Sequence, residues 1–164
     1  MDIRAVTPAN RHVYLNLCQS YEGEFSAITG KVPDADGVFA LDTEIGGMVL
    51  GFVLYVDSHP VGFAAIKVEA DMHEILEFYV VPSVRNRHLG RDFAQALFAR
   101  YRGRWQVKQL EAARYATRFW VRVIAEFTRG AFEQDMYDDA YWGRVTRQCF
   151  DSAGSARKMA KQGR

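Results

Sequence analysis

Apolar positions recur along this chain at two periods, and the switches between them predict its elements in order. Ile3 to Val6 alternates at the two-residue period of a short strand. Thr7 followed by Pro8 pairs a helix N-cap with a residue suited to the first turn. Val13, Leu15, Leu17, Cys18, Tyr21 and Phe25 give that helix a partial apolar stripe ending near Gly30, and Lys31 to Gly37 (KVPDADG) has the composition of a surface loop. Val49 to Val56 and Val61 to Val68 are rich in β-branched and aromatic residues and are separated by DSHP, so they read as an antiparallel hairpin. A third strand, Glu74 to Val81, closes at Pro82, which has no N–H to give a ladder.

The period becomes helical at Leu89, with Phe93, Leu97 and Tyr101 following at four-residue steps and Gly103 suited to a left-handed C-cap. Trp105 to Leu110 is a further strand. Strand, helix and strand with short connections imply a right-handed crossover between parallel strands. Ala116, Phe119, Trp120, Val123, Ile124 and Phe127 then form the clearest stripe in the chain, with Arg114, Arg118 and Arg122 turned away from it and Gly130 ending the helix. Phe132 to Tyr137 and Trp142 to Phe150 are expected as closing strands around an acidic turn at Asp138 and Asp139. Residues 1–151 therefore read as one α/β domain, and 152–164 as a small, polar, basic tail.

The totals narrow the function classes. A chain of 164 residues, 49% hydrophobic and 25% charged, is long enough to bury a core without staples. A formal net charge of +1 gives no general attraction to nucleic acid or to a membrane surface, so any positive field is local. Cys18 and Cys149 form no paired motif, and the longest apolar run, Met48 to Val56, is short and broken by glycine; a cytoplasmic protein is expected.

The local field is found in HEILEFYVVPSVRNRHLGR, residues 73–91. Arg85, Asn86, Arg87, His88, Leu89, Gly90 and Arg91 gather three fixed cations, one titratable ring and a turn glycine where a helix begins. Helix N-termini present unpaired N–H groups and favour anions, and guanidinium forks neutralise phosphate charge. Two readings follow from the residues alone, a diphosphate site or a solvated basic loop. His73, Glu74 and Glu77 do not make a zinc motif, because the second histidine is missing and the run is strand-like. No G-x-S-x-G supports a serine hydrolase.

VVPSVRNRHLG resembles the acyl-CoA signature of the GNAT family of N-acetyltransferases, V-x-P followed by R/Q-x-x-G-x-G/A. Val80, Pro82, Arg85, Leu89 and Gly90 match, and His88 stands where the first glycine is usual. The order of elements from Ile3 to Phe150 is that of a whole GNAT domain, and in detail the chain is similar to a bacterial subgroup of predicted acetyltransferases. The resemblance implies a mixed, mostly antiparallel sheet of about seven strands with helices on both faces and a parallel pair splayed for CoA. It implies acetyl-CoA as cosubstrate, held by the backbone of Tyr79, Val80 and Val81 and by the residues from Arg85 to Arg91, with an N–H near Val81 polarising the thioester carbonyl.

Amine acetylation needs a base, and Glu74 and Glu77 are the candidates. The frame of EILEFYV puts Glu74 where the family often has its glutamate, and Glu77 interrupts an apolar run in a way that raises a carboxyl pKa. Strand alternation aims the two at opposite faces unless a bulge intervenes. Trp120 occupies the position of the family's proton-donating tyrosine and Ala113 that of its asparagine. Indole donates a hydrogen bond but no proton near neutral pH, so water, the substrate or Tyr115 is left to serve, and the plainer role of Trp120 is in the core stripe. The expected acceptor is a primary amine of a small molecule or peptide, near the first helix, its loop and the final hairpin, on a monomer or homodimer. A non-catalytic acyl-CoA sensor is the alternative.

Overall fold

The computed structural model of this protein describes residues 1–85 and 87–154. Asn86 and residues 155–164, most of the expected basic tail, lie outside the described residues. Among the described residues, seven strands and three α-helices follow the predicted order: β1 (Asp2–Ala5), α1 (Arg11–Thr29), β2 (Val49–Val56), β3 (His59–Lys67), β4 (His73–Val80), α2 (Leu89–Arg100), β5 (Arg104–Leu110), α3 (Arg114–Thr128), β6 (Phe132–Asp139) and β7 (Gly143–Asp151). The strands form one mixed sheet in the order β1-β2-β3-β4-β5-β7-β6. The expected parallel pair is β4 with β5, in the register His73↔Trp105, Glu74↔Gln106 and Ile75↔Val107. No described helix is long and apolar enough to cross a membrane.

Contacts divide the described residues into two compact units, those within 1–67 and 76–90, and those within 68–75 and 91–154. In the first unit β1, β2 and β3 form an antiparallel meander. The β2–β3 hairpin is tighter than DSHP suggests. Asp57 and Ser58 both take positive φ (47° and 65°), the two-residue turn whose twist suits adjoining strands, so His59 and Pro60 already belong to β3. α1 begins at Arg11 instead of after Thr7, because the Asn10 carboxamide turns back to accept the Thr7 N–H at 2.7 Å and donate to the Ala5 carbonyl, fixing a turn before the helix. Its buried face is Tyr14, Leu17, Cys18 and Glu22, while Leu15, expected on the stripe, is exposed. Tyr14, Leu17 and Cys18 pack on Val53, Tyr55, Phe63 and Tyr79. α1 ends where expected, at Gly30, which takes the left-handed conformation.

The second unit is centred on Phe98, whose ring meets Trp105, Phe150 and Phe127 at 5.0, 4.8 and 5.5 Å between centroids. α3 ends at Arg129 in the left-handed conformation, one residue before the predicted Gly130. β6 runs through Asp138 and Asp139, which the sequence pattern assigns to a turn, because both pair with β7 at Arg144 and Gly143. Gly103 lies past the end of α2 at φ 140°, not at a helical cap. Ser152, the first residue of the expected tail, is buried: its N–H bonds the Gly103 carbonyl at 2.9 Å and its hydroxyl accepts the Gly103 N–H.

Candidate active site

Burial alternates along β4. His73, Ile75, Glu77 and Tyr79 are buried, and Glu74, Leu76 and Phe78 are half-buried, so the two candidate glutamates point to opposite sides of the strand. Their surroundings separate them further. Glu74 receives the Gln106 side-chain amide at 2.7 Å and the Lys108 ammonium at 2.7 Å, and Lys108 is shared with Asp139. Both of its oxygens are therefore engaged within the chain.

Glu77 is 6% exposed, and its Oε1 has no hydrogen-bond partner. Burial is the largest influence on its pKa and raises it from 4.5 to about 7; Glu22 and Asp42 push the same way, while the Thr43 hydroxyl and Lys31 oppose them. Around it in the same unit lies a set of polar groups that runs from buried Glu22 through half-buried Lys31 to exposed Asp42. Glu22, 1% exposed, accepts the Lys31 ammonium at 2.8 Å, and that ammonium also holds Asp42 at 2.7 Å and the Ala40 carbonyl at 3.0 Å. Tyr14 and Tyr21 have phenol pKa values pushed upward, chiefly by burial, so both stay protonated across the physiological range. Cys18, packed with them, has its thiol pushed up to about 12 by burial and is inert.

The strand-to-helix junction departs from expectation at several atoms. The Val81 N–H, expected near the thioester, already bonds the Val61 carbonyl at 2.8 Å. Alternation along the strand turns the Val80 N–H to the other edge. The Val80 carbonyl accepts Arg85 Nε at 2.7 Å, and both Arg85 terminal nitrogens bond Glu24 at 2.8 Å. Arg85 therefore stabilises the turn through a fork that a phosphate would have to share. Arg91 pairs with Asp92 and, at 3.3 Å, with Glu126. Arg87 is exposed and makes no ion pair among the described residues. His88 precedes α2 with φ 61°, the left-handed conformation for which glycine is suited. Leu89 and Gly90 open the first turn of α2. Asn86 lies outside the described residues.

The sequence model of the Acetyltransferase (GNAT) family matches residues 15–124. The chain belongs to the GNAT family. Among curated proteins compared by sequence, none matches it. Solved structures share the GNAT fold at low identity. One, described as an acyl-CoA N-acyltransferase from Klebsiella pneumoniae, is 16% identical, with TM-score 0.64 over 92% of this chain and 96% of the other. The ribosomal-protein-S18-alanine N-acetyltransferase from Escherichia coli is 12% identical, with TM-score 0.59 over 92% of each chain. A GNAT acetyltransferase from Elizabethkingia anophelis with acetyl-CoA bound is 9% identical, with TM-score 0.60 over 92% of this chain and 97% of the other.

Trp120, expected at the position of the tyrosine acid, is a core residue. Trp120 is 5% exposed and packs at 5.0 Å from Phe119 and 6.3 Å from Phe98. Tyr115 is exposed and Ala113 is buried. Tyr14, Lys31, Asp42 and Thr43 were not foreseen as site residues. One signal was available: Tyr14, Cys18 and Glu22 fall at four-residue steps, which sets a carboxylate on a buried helical stripe.

Proposed function

We propose that this protein is an acetyl-CoA-dependent N-acetyltransferase in which Glu77 takes the proton of a primary ammonium acceptor. The observation that carries the reading is Glu77 itself: a buried carboxylate with an unpartnered oxygen and a pKa raised to about 7, on the strand that leads into the Val80 to Arg91 junction. The junction fits the cosubstrate. The α2 N-terminus and exposed Arg87 suit the diphosphate, and the outward Val80 N–H suits the thioester oxygen.

The ammonium first gives one proton to Glu77. The freed nitrogen lone pair forms a C–N bond to the thioester carbonyl carbon, whose oxygen carries the developing charge. Collapse breaks the C–S bond, the electron pair leaves with the CoA sulfur, and the second nitrogen proton neutralises that thiolate. Glu77 passes its proton to solvent.

The burial of Trp120 favours one other reading, an acyl-CoA sensor, since it leaves no tyrosine at the acid position. One assay decides between them. Free thiol released from acetyl-CoA is followed with and without acceptor amines, while native mass spectrometry reports retained CoA. Amine-dependent release that falls at least tenfold in Glu77→Gln, with unchanged CoA affinity, supports the transferase. Binding with no amine-dependent release supports the sensor, and no CoA binding overturns both.

A further inference from the structure

The fold leaves one group of charges without a structural task. Arg114, Arg118 and Arg122 stand at four-residue steps on the exposed face of α3, and none of them makes an ion pair among the described residues. No acidic residue lies between Glu111 and Glu126 to answer them. Like charges one turn apart repel each other, so the stripe weakens the helix that carries it.

The C-terminal end of this stripe is fixed beside α2. Glu126, one turn beyond Arg122, accepts Arg91 at 3.3 Å, and the Gln95 side-chain amide donates to the Val123 carbonyl at 3.2 Å. The rings of Phe98 and Phe127 meet at 5.5 Å, and Val123 and Ile124 are buried, so packing holds this crossing as firmly as the polar bonds do. Arg122 therefore stands about 6 Å along the α3 axis from the residue that touches the first turn of α2, and Arg118 about 12 Å. At that turn the side-chain charges do not favour an anion. Arg91 is shared by Asp92 and Glu126, two carboxylates for one guanidinium. The next positive charges along α3 are Arg122 and Arg118.

CoA carries phosphate at two places, the diphosphate and, on the far side of one ribose, a 3′-phosphate. We propose that Arg118 and Arg122 hold this 3′-phosphate and make the protein select CoA over dephospho-CoA. The inference rests on the reading that the diphosphate sits at the start of α2. A phosphate monoester is close to doubly charged near neutral pH, and two guanidinium groups one turn apart match that charge with several N–H donors. Its binding also relieves the repulsion between the two arginines. Arg114, a further turn away, lies beyond the subsite.

The test compares two ligands that differ only in the 3′-phosphate. Calorimetric titrations of CoA and dephospho-CoA are run at low and high salt on the full chain, for the parent, for the double variant Arg118→Gln with Arg122→Gln, and for Arg114→Gln. Glutamine is a good helix former, and urea unfolding checks that every variant keeps its fold. The parent is expected to bind CoA about tenfold more tightly than dephospho-CoA, with a smaller preference at high salt. The double variant is expected to lose that preference while its affinity for dephospho-CoA stays within about twofold of the parent, and Arg114→Gln to behave as the parent. Equal affinity of the parent for both ligands, or a preference that survives in the double variant, overturns the subsite and leaves the CoA reading standing. An equal loss for both ligands in the double variant, or as large a loss in Arg114→Gln, overturns it as well, since the stripe then acts only as a general field. Binding of neither ligand by the parent refutes the CoA reading and the subsite with it.

Discussion

Replacing Glu77 by glutamine removes a buried carboxyl group that is easier to protonate in the folded chain than in the unfolded one. Its pKa rises from 4.5 to about 7, first through burial and then through Glu22 and Asp42. Between those values the native state holds a proton that the unfolded chain releases. The stability linked to that proton is fully present below pH 4.5 and is lost as pH rises through about 7. At about 1.4 kcal/mol per pH unit, the full effect is about 3 kcal/mol. Glutamine keeps the shape and never ionises, so Glu77→Gln matches the parent at acid pH and exceeds it by about 3 kcal/mol above pH 7. Asp135 and Asp139 run the opposite way. Asp139, for example, is brought down to about 2 because hydrogen bonds from Lys108, Trp142 and Tyr141 outweigh burial. Urea unfolding of both proteins from pH 4.5 to 8.5, plotted as the difference in stability, cancels those shared groups. A difference that stays flat, or falls with pH, refutes the account of Glu77. The same variant is expected to lose at least tenfold in amine-dependent thiol release, which makes it the more stable and less active protein.

Glu74→Gln leaves Lys108 paired with Asp139, so turnover with an identified acceptor is expected to stay within about twofold of the parent, and a loss as large as that of Glu77→Gln would move the base to Glu74. His88→Gly relieves a left-handed residue of about 1 kcal/mol of strain and is expected to raise both the unfolding midpoint and the affinity for CoA in titrations. Arg87→Ala is expected to weaken CoA binding about tenfold at low salt, and less at high salt, whereas Glu24→Gln releases Arg85 for the phosphates and tightens it. Gly62→Ala places a Cβ 2.5 Å from the Tyr79 carbonyl oxygen and is expected to cost about 2 kcal/mol or more in urea unfolding, as an overpacked contact against backbone.

β4, β5 and the two later helices were legible because one face of each is buried, which leaves a period in the sequence, and β2 and β3 because burial on both faces leaves an unbroken apolar run; the stripe of α3 is the plainest case. The start of α1 was not, because the Asn10 side chain prefers a local turn over capping, a choice that periodicity does not register. Glu77 stood out as a carboxylate inside an apolar run, and its burial follows from that. The groups that shape its pKa were illegible for a different reason. Lys31 and Asp42 come from an irregular segment whose path is set by bonds to Glu22 and to the Ala40 carbonyl, and no repeat announces such a path. The two arginines tied to Glu24, Asp92 and Glu126 show the same limit, since a basic run in sequence does not reveal which charges are already answered.

Under the proposed acetyl transfer, the departures expected at positions 88 and 120 would act on different steps, and this decides where the demands of catalysis fall. His88 bears on holding the diphosphate, where exposed Arg87 and the N-terminus of α2 remain to compensate. Trp120 bears on the leaving group, and a thiol with an ordinary pKa of about 8.5 leaves well enough without a dedicated acid. A protonated alkylamine has no such tolerance. Its ammonium, with a pKa near that of lysine at about 10.4, must lose a proton before it can attack. On this reading the demand is concentrated at Glu77. The protein meets it by burying a carboxyl beside Glu22 and Asp42, and Lys31 keeps those two carboxylates from driving the Glu77 pKa higher still. Removing Lys31 should then harm the fold through an unpaired, buried Glu22 and harm the chemistry through a base that ionises too late. Lys31→Met would show both as a lower unfolding midpoint and as a pH–rate profile shifted to higher pH.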